Sequence, residues 1–80
     1  SLINIYVENK MYDKAIDEYE SYLRLGADVY DRLGYLYYKT DKLEKALQMF
    51  IKAYQIHPEN KNLKNNIESI SKQLSDRMKR

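Results

Sequence analysis

An internal repeat at a constant offset of 31 residues restricts the fold more than any other feature of the sequence. Leu2, Tyr6, Tyr12, Ala15, Ile16 and Tyr19 recur as Leu33, Tyr37, Leu43, Ala46, Leu47 and Phe50, and every matched pair stays apolar or aromatic. A chain that repeats its core positions in this way builds one supersecondary unit more than once and buries the copies against each other. The connections match as well. Glu8, Asn9, Lys10 and Met11 correspond to Lys39, Thr40, Asp41 and Lys42, both polar stretches that interrupt a helix.

Within each unit the apolar residues are three and four apart, as in Tyr30, Leu33 and Tyr37 and again in Leu43, Ala46, Leu47, Phe50 and Tyr54. That spacing is one stripe of an amphipathic helix. The chain has only two glycines and one proline, which leaves little material for β-hairpin turns. The reading is therefore all-α, with helices over 2–9, 12–25, 28–40, 43–56 and 60–78. Gly26 suits a helix C-terminus and Asp28 can cap the start that follows. Pro58 ends the fourth helix because it disfavours helical geometry in the residue before it. The first four segments pair into two antiparallel helix-turn-helix hairpins, about 2–26 and 27–58.

The last segment places Leu63, Ile67, Ile70, Leu74 and Met78 on one side and almost nothing apolar elsewhere. Such a helix covers the open apolar face of a repeat array and shows water a polar surface, so 60–78 reads as a capping helix. At 80 residues the whole chain is expected to form one domain. Its opening at Ser1, with apolar residues already in helical register, reads as a fragment of a longer protein.

Tyr30, Leu33, Gly34, Tyr37, Ala46, Phe50, Ala53 and Pro58 carry a specific resemblance. Their order and spacing are similar to the tetratricopeptide signature, with Tyr30 in place of the leading tryptophan. Small residues at Gly34, Ala46 and Ala53 have a mechanical reason, since two helices approach closely only where a side chain is nearly absent. The earlier unit departs from the pattern: Ile3 stands where a small residue is usual, Tyr22 where alanine is usual, and the 31-residue offset is shorter than the family's ~34. The resemblance implies a right-handed α-solenoid fragment whose first helices line a concave, peptide-binding groove.

Chemistry that needs a reactive constellation finds none. The single histidine, His57, sits beside Pro58 at a helix end and reads as a structural capping group. There is no cysteine, no second histidine, no calcium-loop spacing and no glycine-rich phosphate loop, so no enzyme, metal or other cofactor is expected. No apolar run reaches the roughly 18 residues of a membrane span, and a soluble, cytoplasmic setting is favoured.

A binding surface remains. With Tyr30, Leu33, Gly34 and Tyr37 turned inward, the adjoining stripe carries Asp28, Asp31, Arg32, Tyr35, Tyr38 and Lys39. Subtracting the offset adds Asn4, Val7 and Glu8, and the closing helix presents Asn62, Asn65, Asn66 and Ser69. Tyr35 and Tyr38 read as groove anchors projecting together toward Asn4 and Val7, with burial in the core as the competing reading; Tyr30 and Tyr37 read as core. One family subtype grips the terminal carboxylate of heat-shock chaperones, but only Asn4 matches its ligands, while Arg32, Asn62 and Asn66 stand in slots of different chemistry.

The expected partner is a protein or peptide, not a small-molecule substrate. The alternative is a structural segment that stacks on further repeats or on itself. Lys72, Arg77, Lys79 and Arg80 form a basic end that could meet nucleic acid or an anionic membrane, which is less favoured because no aromatic there can stack on a base. Charge is polarised along the chain: residues 1–28 hold three basic and six acidic side chains, although the formal net charge is +2.

Overall fold

The computed structural model describes residues 2–79. It contains five helices: α1 (Leu2–Glu8), α2 (Tyr12–Arg24), α3 (Tyr30–Lys39), α4 (Leu43–Ile56) and α5 (Lys61–Met78). Among the described residues there is no strand. Each helix packs on the next, so α3 lies between α2 and α4, and α4 lies between α3 and α5. The all-helical hairpin architecture expected from the repeat is the one observed.

The same repeat sets the backbone of the connections. Lys10 and Asp41 both adopt left-handed geometry, with φ of 57° and 61°. Lys10 N donates to Val7 O and Met11 N to Tyr6 O, while Asp41 N donates to Tyr38 O and Lys42 N to Tyr37 O. This pair of bonds, closing the last carbonyls of a helix over one left-handed residue, is the Schellman arrangement. The side chains of Asn9 and Thr40 add donors to the equivalent carbonyls of Ile5 and Leu36. Met11 and Lys42 then serve as N-caps of α2 and α4 through backbone alone.

Gly26, with φ of 92°, closes α2 in the same manner: its N–H meets Leu23 O and that of Ala27 meets Tyr22 O. Asp28, however, does not cap α3. The helix begins two residues later, with Val29 at the N-cap and no side-chain capping bond. The Asp28 carboxylate is engaged by His57 at the far end of α4 instead. Among the described residues Asn60 is the one side-chain N-cap, its Oδ1 accepting from Asn62 N at 3.0 Å.

The core runs along the stripe the spacing marks. Leu33, Ala46 and Ala15 are fully buried, and Leu36, Tyr37, Leu43, Phe50, Ala53, Leu63 and Ile70 nearly so. Gly34 earns its place by contact, since a Cβ there would lie 3.0 Å from the Phe50 ring. Tyr30 is half-buried against this core. Met78 departs from the expected stripe: it is 84% exposed, because α5 extends past the hairpin it covers.

Candidate functional site

On α3 burial alternates by face. Leu33, Gly34, Leu36 and Tyr37 are buried, while Asp31, Arg32, Tyr35, Tyr38 and Lys39 are exposed at intervals of one, three and four residues, which is one side of a helix. Tyr35 and Tyr38 keep 48% and 41% of their surface open, so neither ring belongs to the core.

This face borders two adjoining concavities. The first, of about 390 Å³, is lined by Asn4, Val7 and Glu8 of α1, Tyr19 of α2, and Asp31, Arg32, Tyr35 and Leu36 of α3. The second, of about 260 Å³, is lined by Tyr35, Tyr38 and Lys39 of α3, Phe50 of α4, and Asn66, Ser69 and Ile70 of α5. Tyr35 stands on the ridge between them.

The two concavities are one design made twice. Asn4, Val7, Glu8 and Tyr19 of the first correspond at the 31-residue offset to Tyr35, Tyr38, Lys39 and Phe50 of the second. Arg32, Tyr35 and Leu36 correspond at an offset of 34 to Asn66, Ser69 and Ile70. The step from α3 to α5 therefore has the full length of a tetratricopeptide unit.

What changes between the copies is charge. Glu8 and Asp31 outnumber Arg32 in the first concavity, whereas among the described residues Lys39 is the one charged side chain lining the second. The Lys39 Nζ lies 5.5 Å from the centroid of the Tyr35 ring, a cation over an aromatic face.

Of the residues expected to line a groove, ten border these concavities, and Asp28, Asn62 and Asn65 do not. The Asp28 Oδ2 is 2.6 Å from His57 Nε2, which ties it to the end of α4. Asn62 lies in the first turn of α5, where its backbone N–H is held by Asn60. The two tyrosines also diverge. Tyr35 shares the first concavity with Asn4 and Val7, but Tyr38 faces only the second, toward Asn66 and Ser69. Three residues of helix fall about 60° short of a full turn and advance about 4.5 Å, enough to carry Tyr38 past the ridge.

Tyr19, Leu36, Phe50 and Ile70 line these concavities; the sequence pattern assigned Tyr19, Phe50 and Ile70 to the apolar stripes alone and did not mark Leu36. The offset itself held the signal, since Tyr19 and Phe50 are equivalent and each sits at the base of its concavity.

The basic end is partly engaged. Arg77 Nη2 is 2.6 Å from Asp41 Oδ1, an exposed pair that joins α5 to the connection between α3 and α4. Arg80 lies outside the described residues. Among the described residues no group of three or more His, Cys, Asp or Glu could hold a metal ion, and no helix is long and apolar enough to cross a membrane.

No curated protein matches the chain. Residues 27–60 match the family model of the tetratricopeptide repeat, a stretch that runs from the connection before α3 to the cap of α5. That hairpin is similar to the tetratricopeptide repeat, a unit that suggests a protein–protein interaction or scaffold module.

Proposed function

We propose that the chain binds a segment of a partner protein along the groove formed by the two concavities, with Tyr35 on the ridge as the central anchor. The observation that carries this reading is the exposure of Tyr35 and Tyr38 on a helix whose intervening residues, Leu36 and Tyr37, are buried. Two aromatic rings held open on a rigid helix give large contact area with little side-chain freedom left to lose, which is the profile of an interface hot spot. The polarity of the groove adds direction. A bound segment is matched best when it places a basic side chain near Glu8 and Asp31 and an acidic one near Lys39.

Selection from a displayed peptide library, followed by titration of the selected peptide, tests this. Replacing Tyr35 and Tyr38 together by Ser is expected to leave folding within about 1 kcal/mol of wild type and to weaken the peptide by about 2 kcal/mol or more. Glu8→Lys and Lys39→Glu should reverse the charge preference of the selected sequences. Selected peptides whose affinity ignores all four positions would place the binding surface elsewhere.

A further inference from the structure

Two departures from the repeat leave room in the first copy where the second is closed. At the 31-residue offset Ile3 stands for Gly34 and Tyr22 for Ala53. In the second copy Gly34 lies against the Phe50 ring and Ala53 is 1% exposed, so α3 and α4 meet closely there. In the first copy Tyr22 is 44% exposed. A third concavity, of about 520 Å³, is lined there by Ile3 and Asn4 of α1, Tyr19 and Tyr22 of α2, and Val29 and Arg32 of α3. It shares Asn4, Tyr19 and Arg32 with the first concavity, and so extends the groove toward the start of α3. Among the described residues Arg32 is the one charged side chain lining it. Its guanidinium makes no ion pair among those residues, unlike that of Arg77. The carboxylate beside it in sequence is engaged by the backbone, Asp31 Oδ1 accepting from Arg32 N at 2.9 Å. At the 34-residue offset the same position is Asn66, which carries no charge.

We infer that this third concavity receives an acidic side chain, Asp or Glu, of the segment bound in the groove, with its carboxylate held by Arg32. The guanidinium presents paired donors in a fixed fork that matches a carboxylate at two points. The aromatic and apolar walls beside it strengthen that attraction by excluding water. The inference rests on the groove as binding surface and fixes the charge order of what the groove accepts. Arg32 comes first, then the acidic pair Glu8 and Asp31, then Lys39. Arg32 and Lys39 are seven residues apart on α3, about 10.5 Å along the helix, a length that about three residues of extended chain span. The matching segment therefore carries two acidic residues about three positions apart, with a basic residue between them.

The probe is a displayed library of random peptides, selected in parallel on the full wild-type chain and on its Arg32→Glu variant. Wild type should enrich an acidic residue about three positions from the one that answers Lys39. Arg32→Glu should enrich a basic residue at that place and leave the one answering Lys39 unchanged. For a peptide selected on wild type, replacing the acidic residue by its amide should weaken binding about tenfold, and so should Arg32→Gln in the chain. The two changes together should cost no more than either alone, since both remove one contact. Arg32 is exposed, so Arg32→Gln should leave the thermal midpoint in place. The Nε–H resonance of Arg32 should move on addition of the acidic peptide and stay still with the amide form. Peptides that depend on Tyr35 and Lys39 but carry no acidic residue answering Arg32 overturn this inference and leave the groove standing. Losses that simply add, or an unmoved Nε–H resonance, overturn it as well. Peptides indifferent to Tyr35, Lys39 and Arg32 alike, or no enrichment on wild type, overturn the groove and this inference together.

Discussion

His57 and Asp28 join the two ends of the second hairpin: Nε2 of the imidazole lies 2.6 Å from Oδ2 of the carboxylate, although 29 residues separate them. The contact links the connection before α3 to the last turn of α4. The hydrogen bond to Asp28 raises the His57 pKa above its ordinary 6.5, and the charges of Asp28, Glu59 and Asp31 act in the same direction.

A group whose pKa is raised by folding contributes stability that is fully present below its unfolded pKa and is lost as pH rises through the folded one. The charged pair should therefore help the hairpin most below about pH 6.5, provided Asp28 stays ionised, and less above the raised value. The gap in thermal midpoint between wild type and Asp28→Asn should be wider at pH 5.5 than at pH 8.5. An NMR titration of the ring should also show Asp28→Asn moving the His57 pKa back down. An unchanged pKa in that variant would mean the pair does not persist in solution.

Tyr37 should give the opposite end of the pH range its own signature. Burial, followed by the hydrogen bond to Glu20 and the charges of Glu20 and Asp17, pushes its pKa up to about 12. The neutral phenol is the form the fold accepts, so the contribution is intact below pH 10 and is lost between pH 10 and about pH 12. Tyr37→Phe removes both the hydroxyl and its titration, and is expected to cost about 1 kcal/mol at pH 7. The wild-type advantage over Tyr37→Phe should shrink across the alkaline range in parallel denaturant melts. A gap that stays constant to pH 12 would show that the hydroxyl is not held as described.

Much of this architecture was legible because one spacing served several levels at once. The offset that matches Ala15 to Ala46 also matches Lys10 to Asp41 and Tyr19 to Phe50, so reading the core positions located the connections and most of the lining of the two concavities. What stayed hidden depends on contacts between residues distant in sequence. Asp28 looks like a helix cap in isolation, and only the approach of His57 across the hairpin gives it another partner. The side to which Tyr38 turns is set by where α5 lies, which no spacing within α3 contains. Nor does sequence mark Lys10 as left-handed, since lysine has no local preference for that geometry.

That last point yields a stability prediction. Lys10 holds φ of 57° at the closing position of α1, where glycine has no Cβ to strain. Lys10→Gly should raise stability by about 1 kcal/mol, relieving the left-handed cost of a residue with a side chain. Gly26→Ala should lower it by a similar amount for the converse reason, because φ there is 92° although nothing lies within 4 Å of the added carbon. Urea melts of both variants check the pair, and a loss of stability in Lys10→Gly would argue against the Schellman geometry of the first connection.

Gly34 and Phe50 set the distance between α3 and α4, and two effects of known size compete at the glycine. Alanine in a helix interior is favoured over glycine by about 1 kcal/mol. Its Cβ, however, would come 3.0 Å from the outer edge of the Phe50 ring, which must then shift within a packed core. Forcing a ring off its rotamer costs about 0.5 to 1.5 kcal/mol, so Gly34→Ala alone should change stability little. In a Phe50→Leu background the ring is gone and the helical preference is released. Gly34→Ala should then stabilise by about 1 kcal/mol, a coupling between the two sites of the same size. Four urea melts complete the cycle. Strict additivity would show that the glycine is not required by the ring, and that the close approach of the hairpin's helices has another cause.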